Sequence, residues 1–343
     1  LDGKRLAAGK DFDSKTGELK NDQVMTLLGP QAQQLSIDLD KNTPWKVQTV
    51  DQKKTKLRPA PPLITSSLQQ AASSLLGVSP SQTMRIAQRL YEGVDFGGGE
   101  DREGLITYMR TDSLTLSDRA MAEAGEVITA NFGKDYYDGP RHYKSKSKAA
   151  QEAHEAIRPT HLSRTPETIA PYLSKEDLAL YRLIWNRTMA SQMADAVLLK
   201  TAVDFQVSTS QGDAILRANG SVVSFPGHLA VADSAQKDNV LPAIQEGQGV
   251  GPGEAIELKQ LEPIRRETKP PGRYTEASLV KRLEEEGIGR PSTYAPTISV
   301  VQNRGYVDKR GNALVPTFLG ISVTRLLRNH FSEYVDLQFT ARM

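Results

Sequence analysis

One local order occurs twice in this chain, and it limits the architecture more than any other feature: a helix-spaced apolar stripe, a short turn, a second stripe, then a β-prone run. At its first occurrence, Thr65, Ser66 and Ser67 form an N-cap cluster ahead of Leu68, Ala71, Ala72, Leu75 and Leu76, and Gly77 stops the run. Ser79, Pro80 and Ser81 restart the chain into Met84, Ala87, Leu90 and Tyr91, which end at Gly93. Three glycines at 97–99 then lead to residues 105–111, which read as a strand. At the second occurrence, Thr275 and Ser278 cap a helix through Leu279, Val280 and Leu283. Gly287 and Gly289 break it, and Ser292 opens a helix through Ile298, Val301 and Gln302. A hairpin is expected from Gly305 to Val307 and the turn at 309–312.

Both stretches have the pattern of a helix-turn-helix unit with a β wing, a shape used for docking on DNA and equally for ordinary packing. Residues 196–262 differ in texture: alternation in 201–207, 213–218 and around Val222 and Val223 argues an antiparallel β region. Residues 1–62 mix short β-prone runs (45–50) with a basic, Pro-rich linker (53–62). The expected organisation is therefore mixed α and β and multidomain. A discontinuous β domain spans 1–62 and 196–273, a helical winged-helix-like domain 63–195, and a second winged-helix-like segment 274–343.

With 43 Lys and Arg against 41 Asp and Glu, the formal net charge of +2 is too nearly neutral for a histone-like binder. A 38% hydrophobic composition with clear periodicity excludes a disordered or collagen-like chain. No run of about 18 apolar residues offers a membrane-spanning helix, and residues 1–5 lack a signal peptide's apolar stretch. The absence of cysteine excludes disulfides, Cys-ligated zinc and a thiol nucleophile, and the reducing cytoplasm is the expected location. The chain opens with Leu and stops at Met343 directly after a helical pattern, so a piece of something longer is expected.

Three segments carry chemistry. On a strand over 106–112, Tyr108, Arg110 and Asp112 share one face while Met109 turns away. A phenol becomes a useful nucleophile where a cation favours the phenolate, and Arg grips phosphate with two parallel donors, so the pair suits attack on a phosphodiester. The same residues also suit a packed Tyr that hydrogen-bonds an Asp. If 151–160 is helical, Gln151, His154, Glu155 and Arg158 line one polar face that Pro159 terminates. That face can hold a phosphate and move a proton, or be simply a solvated surface. No second His stands a turn away, as a zinc protease would need. Arg290 precedes a helix whose first turn includes Ser292 and Thr293, where free backbone N–H groups attract phosphate or merely receive a cap.

Taken together, "TSSLQQAAS" (65–73), "AQRLYEG" (87–93), "LITYMRTDS" (105–113), "QEAHEAIRPT" (151–160) and the long run 270–307 resemble the type IA DNA topoisomerases, most closely their bacterial topoisomerase I branch. The likeness extends from about residue 44 to the end, and Met109 between Tyr and Arg favours that branch over topoisomerase III relatives. It implies a gate fold built from winged-helix-like domains and an antiparallel β domain. Tyr108 is then the nucleophile that forms a 5′-phosphotyrosyl link, and Arg110 steadies the phosphate and the phenolate. Asp112, His154 and Glu92 support the active site, and Gln88, Arg158, Arg290, Thr293 and Arg304 bind the single strand.

The implied activity is relaxation of negatively supercoiled DNA by cleavage, strand passage and religation without ATP, by a bacterial, cytoplasmic, nucleoid-associated monomer. The family places Mg²⁺ in an N-terminal TOPRIM domain, which nothing before residue 63 offers. The acidic pairs Asp11/Asp13 and Asp38/Asp40 are rejected as metal ligands, so no metal is assigned to this chain. The zinc ribbons of many relatives are likewise excluded by the lack of Cys. Two other roles differ in class: a single-stranded-DNA-binding gate module without catalysis of its own, and a transcription regulator that reads duplex sequence with paired winged helices.

Overall fold

The computed structural model describes residues 1, 3–13, 16–96, 102–144, 155–210, 212–231 and 238–342. They divide into two units, one of Leu1–Leu57, Val197–Phe225 and Gln236–Gly272, the other of Arg58–Ala196, Pro226–Ala235 and Arg273–Met343.

The first unit is built on long strands. Besides a short parallel pair, β1 (Arg5–Leu6) with β2 (Val24–Met25), and the helix α1 (Gly29–Lys41), it holds β3 (Trp45–Leu57), β4 (Ala196–Thr209), β5 (Gly212–Phe225) and β6 (Gly249–Val250). The sheet order is β5-β4-β3-β6. β4 and β5 form an antiparallel hairpin paired from Val197↔Phe225 to Thr209↔Gly212, as their apolar/polar alternation predicts. One face buries Leu39, Trp45, Val47, Val203, Val207, Ala214 and Val250. The indole N–H of Trp45 donates to the Leu39 carbonyl at 2.9 Å and so ties α1 to the start of β3.

Two expectations fail in this unit. The lysines at 53, 54 and 56, expected in a linker, lie within β3, which continues through them to Leu57. Their side chains are exposed and their backbone pairs regardless of side-chain charge. Residues 29–41, within a segment expected to hold only strands and linker, are helical, with Pro30 in the first turn and Leu35 and Leu39 one turn apart.

The second unit opens with α2 (Thr65–Leu76), which Gly77 ends at φ +69° in the left-handed region that favours glycine. Then come α3 (Pro80–Glu92), α4 (Asp118–Phe132), the short α5 (Pro166–Ile169) and α6 (Lys175–Gln192). α6 is buried on most sides, through Leu180, Tyr181, Leu183, Ile184, Trp185, Thr188 and Met189, as a central helix must be. Its polar aromatics keep partners: the Tyr181 hydroxyl donates to the Arg164 carbonyl and the Trp185 indole to that of Leu162. One apolar cluster links Leu63, Leu68, Ile86, Leu90, Leu105, Met109, Ile157 and Ile184.

Farther on, α7 (Glu276–Glu285) is capped by Thr275 and Ser278, and α8 (Tyr294–Asn303) follows. The hairpin β7 (Val307–Arg310) with β8 (Ala313–Pro316) comes where it was expected, ahead of α9 (Phe318–His330) and α10 (Leu337–Arg342). α7 packs along α2 and α8 against α3.

Candidate active site

α3 is the platform of the site. Ser79 caps it by accepting the Gln82 N–H, and its buried face is Thr83, Ile86, Ala87 and Leu90. Gln88 and Glu92, one turn apart, lie off that face, and the Gln88 amide donates to the Glu92 carboxylate at 2.7 Å. Past the helix end, Gly93 at φ +93° lets the chain turn, and Val94 pairs with Glu103. A Cβ on Gly104 would stand 2.6 Å from the Tyr91 carbonyl oxygen, so only glycine allows this approach. The Leu105 N–H then donates to the Leu90 carbonyl at 2.8 Å. Glu103 accepts from Arg164 at 2.6 Å and lies 3.2 Å from the His161 ring. The Arg164 hydrogen bond, helped by the Arg164 and His161 charges, holds the Glu103 carboxyl below its usual range.

Residues 105–111 are not a strand of any sheet; a single bridge, Ile106↔Pro159, is all the ladder they have. Their backbone groups go instead to a helix N-terminus and to a neighbouring irregular segment. The buried Thr65 hydroxyl shares its proton between the carbonyls of Met109 (2.7 Å) and Thr111 (3.0 Å) and accepts the Thr111 N–H at 2.9 Å. The Thr65 N–H donates back to the Thr111 carbonyl. On the other side, the Thr107 N–H donates to the Arg158 carbonyl and the Thr107 hydroxyl to that of Ala156. The alternation expected of a strand survives without one: Met109, Thr111 and Ser113 are buried, Tyr108 and Arg110 exposed and Asp112 half-buried.

Tyr108 is 41% exposed, and its ring meets Tyr91 edge-on with centroids 5.3 Å apart. Among the described residues Arg110 has no hydrogen bond or ion pair, so its five donors are available to an anion.

The expected helix over 151–160 is absent from its described part. Residues 155–160 are extended, with Ile157 paired to Leu63 and Pro159 to Ile106. Pro159 biases Arg158 away from helical geometry, and the burial of Ala156 and Ile157 settles the course of the chain. Arg158 pairs with Glu155 at 2.6 Å and donates to the Pro159 and Thr160 carbonyls, so its donors are engaged within the segment. Gln151 and His154 lie outside the described residues.

In the third segment the helix begins at Tyr294, two residues later than Ser292. Residues 291–293 make a turn in which the Thr293 hydroxyl accepts the Arg290 N–H at 2.8 Å and donates to the Arg290 carbonyl. Thr293 is thus spent on the turn, while Arg290 is exposed and has one guanidinium N–H on the Gly289 carbonyl. Arg304 is exposed at the C-terminal end of α8.

Tyr294, which the sequence reading passed over, sits between these parts. Burial pushes its phenol above the ordinary range, the charges of Glu284 and Asp112 push the same way, and Arg290 opposes. Asp112 from the Tyr108 segment and Arg290 from the α7–α8 turn therefore act on one buried hydroxyl. The signal for Tyr294 was its place directly after Arg290, Ser292 and Thr293. Nothing in apolar periodicity could have marked Thr65, which reads as an N-cap and serves instead as a clamp. Among the described residues no group of three or more His, Asp or Glu could hold a metal.

The chain matches a family model described as DNA topoisomerase over residues 8–343. It is 42% identical over 337 residues to DNA topoisomerase 1 of Campylobacter jejuni, covering 97% of this chain and 46% of that protein. To DNA topoisomerase 1 of Xylella fastidiosa it is 46% identical over 301 residues, which are 87% of this chain and 36% of that protein. Full-length topoisomerase I of Thermotoga maritima superposes with a TM-score of 0.77 at 36% identity, over 95% of this chain and 51% of that one. The chain thus spans about half or less of the length of these relatives. A family model matched over residues 8–343, relatives 42–46% identical and a shared fold over nearly the whole chain place this protein in the bacterial type IA DNA topoisomerase family.

Proposed function

We propose that Tyr108 is the nucleophile of a DNA strand-cleaving and resealing reaction. The observation that carries this reading is the clamp at Thr65, which buries Met109 and Thr111 and presents Tyr108 and Arg110 outward as neighbours. The phenolic oxygen attacks phosphorus and gives up its proton; the strand's 3′ oxygen leaves and takes one, so the 5′ phosphate becomes tyrosyl-linked. Because the phosphotyrosyl ester keeps the energy of the broken bond, the reverse attack reseals the strand without a nucleotide. Arg110 offers a bidentate grip on the phosphate.

Asp112, Glu92 and His154 support the reacting groups, and Gln88, Arg290 and Arg304 contact the single strand, with Thr293 holding the turn that presents Arg290. Arg158 has its side-chain donors engaged by Glu155 and two carbonyls, and its backbone N–H and carbonyl bond to Thr107 of the Tyr108 segment. The substrate is negatively supercoiled DNA that exposes a single strand, and the whole protein acts as a monomer that uses Mg²⁺ bound outside the described residues. Full-length protein incubated with end-labelled single-stranded oligonucleotide should give a covalent adduct on the 3′ cleavage product. Tyr108→Phe should bind the oligonucleotide and give no adduct; an adduct that persists overturns the assignment.

A further inference from the structure

The backbone of the Tyr108 segment is fixed on both sides of the tyrosine. Just before it, the Thr107 N–H donates to the Arg158 carbonyl and the Thr107 hydroxyl to that of Ala156. Just after it, the Met109 carbonyl accepts the Thr65 hydroxyl at 2.7 Å. The side-chain torsions of Tyr108 then decide where its phenol oxygen stands, and among the described residues that oxygen has no hydrogen-bond partner. An exposed tyrosine with nothing to rest on changes rotamer on the order of nanoseconds. Each change swings the oxygen away from a phosphorus that it must meet at close range and in line.

Tyr91 meets this ring. The centroids are 5.3 Å apart and the planes cross at 64°, the edge-to-face arrangement that aromatic quadrupoles favour. Tyr91 is 41% exposed and lies off the buried face of α3, so the core does not require a ring at this position. The turn that carries it is anchored residue by residue. Arg89 pairs with Asp177 of α6 at 2.5 Å, and the Leu90 carbonyl accepts the Leu105 N–H at 2.8 Å. Gly104 closes over the Tyr91 carbonyl, and Gln88 and Glu92 hold each other across the same turn at 2.7 Å. Tyr91 therefore offers a fixed ring to a side chain whose torsions are otherwise free.

We infer that Tyr91 is a positioning residue for the nucleophile: its ring holds the Tyr108 ring in the rotamer that aims the phenol oxygen at the phosphate. The inference rests on the reading of Tyr108 as nucleophile. The contact is between rings, and among the described residues the Tyr91 hydroxyl has no partner, so phenylalanine can replace Tyr91 and an aliphatic residue cannot. Because Tyr91 acts through Tyr108, its loss slows the chemical step and leaves strand binding unchanged.

In the full-length protein, wild type, Tyr91→Phe, Tyr91→Leu, Tyr91→Met and Tyr108→Phe are compared on an end-labelled single-stranded oligonucleotide. Affinity is measured by titration, the rate of covalent adduct formation with protein in saturating excess, and stability by thermal melting. Tyr91→Leu and Tyr91→Met should bind as wild type does and form the adduct about two- to tenfold more slowly, the range that one aromatic pair is worth. Tyr91→Phe should restore the rate, and all three variants should melt close to wild type because the side chain is exposed.

A wild-type rate in both ring-less variants overturns the inference. So does a Tyr91→Phe as slow as Tyr91→Leu, which would give the role to the hydroxyl. Weakened affinity with an intact saturated rate would make Tyr91 a contact for the strand instead, and a rate that falls only in step with the melting midpoint across Leu and Met would make it a prop of α3. An adduct that persists in Tyr108→Phe defeats the functional reading itself. No adduct in Tyr108→Phe with full rate in Tyr91→Leu defeats only the role of Tyr91.

Discussion

The candidate nucleophile rides on backbone that belongs to no helix or sheet, whereas the β unit is organised around strands up to 14 residues long. In the helical unit one apolar cluster runs from Leu63 to Val231, and the Tyr108 segment is sewn to it by hydroxyl-to-carbonyl bonds from Thr65, Thr107 and Thr160. In the β unit a small cluster covers part of one face, and β3 runs on through exposed residues 51–54. The difference teaches where precision is kept. Irregular backbone can be held tightly when its polar groups are satisfied by buried side chains, and a sheet with little core can stay regular because its ladder needs no core to be paired.

The largest effects should come from the helical cluster. Leu68→Ala, at a fully buried position, should cost about 2–5 kcal/mol in denaturant unfolding, while Val207→Ala in the β unit should cost about 2 kcal/mol. Equal costs would erase the contrast between a deep and a shallow core. Thr65→Val comes next: it removes the donor to Met109 and Thr111 and orphans the Thr111 N–H, at about 1–3 kcal/mol. At a temperature where both variants stay folded, Thr65→Val should lower the yield of covalent adduct and Leu68→Ala should leave it near wild type. Equal yields would mean that the clamp does not position Tyr108.

What was legible in the sequence follows from where backbone bonds are made. α2, α3, α7 and the β4–β5 hairpin carry their own periodicity, caps and stops, and the structure has them where these signals lie. Periodicity suggests a strand over 105–111 and a helix over 151–160, but the partners of 105–111 and of the described 155–160 are Thr65, Thr107 and Leu63, side chains and carbonyls that no local pattern announces. α6 escaped notice because a helix buried on most sides has little amphipathic stripe to display. At the site, the outward alternation of Tyr108, Arg110 and Asp112 was readable, since it needs only extended backbone with a buried Met109. Tyr294 was not, because its relation to Asp112 depends on the packing of α8 against α3.

A pH scan sharpens the comparison, since all five histidines fall in the helical unit's residue ranges. Burial pushes the His228 imidazole below its ordinary value of 6.5, with a hydrogen bond to the Ala194 backbone and the Asp195 charge favouring the charged form and Arg141 opposing it, and among the described residues its Nδ1 is buried without a partner. The folded state therefore refuses a proton that the unfolded chain accepts. Above pH 6.5 both states are neutral there and nothing changes, but as the pH falls below 6.5 the unfolded state binds more protons and stability drops. The difference in unfolding free energy between wild type and His228→Gln should be flat above pH 7 and should move against wild type below about 6.5. A difference that stays flat to pH 5 would show that His228 titrates normally in the fold.

The smallest effect belongs to the exposed side of the sheet. Ile215 on β5 is 56% exposed, so its side chain contributes little burial, and its position opposite Gln206 on β4 asks only for a residue that suits a strand. Threonine keeps the β-branch and replaces a methyl-bearing arm with a hydroxyl that water can reach. Ile215→Thr should therefore change stability by less than about 0.5 kcal/mol and leave single-strand binding as it is. A loss of 2 kcal/mol or more would mean that this face is covered in the folded protein, and the β unit could no longer be described as a sheet with one buried side.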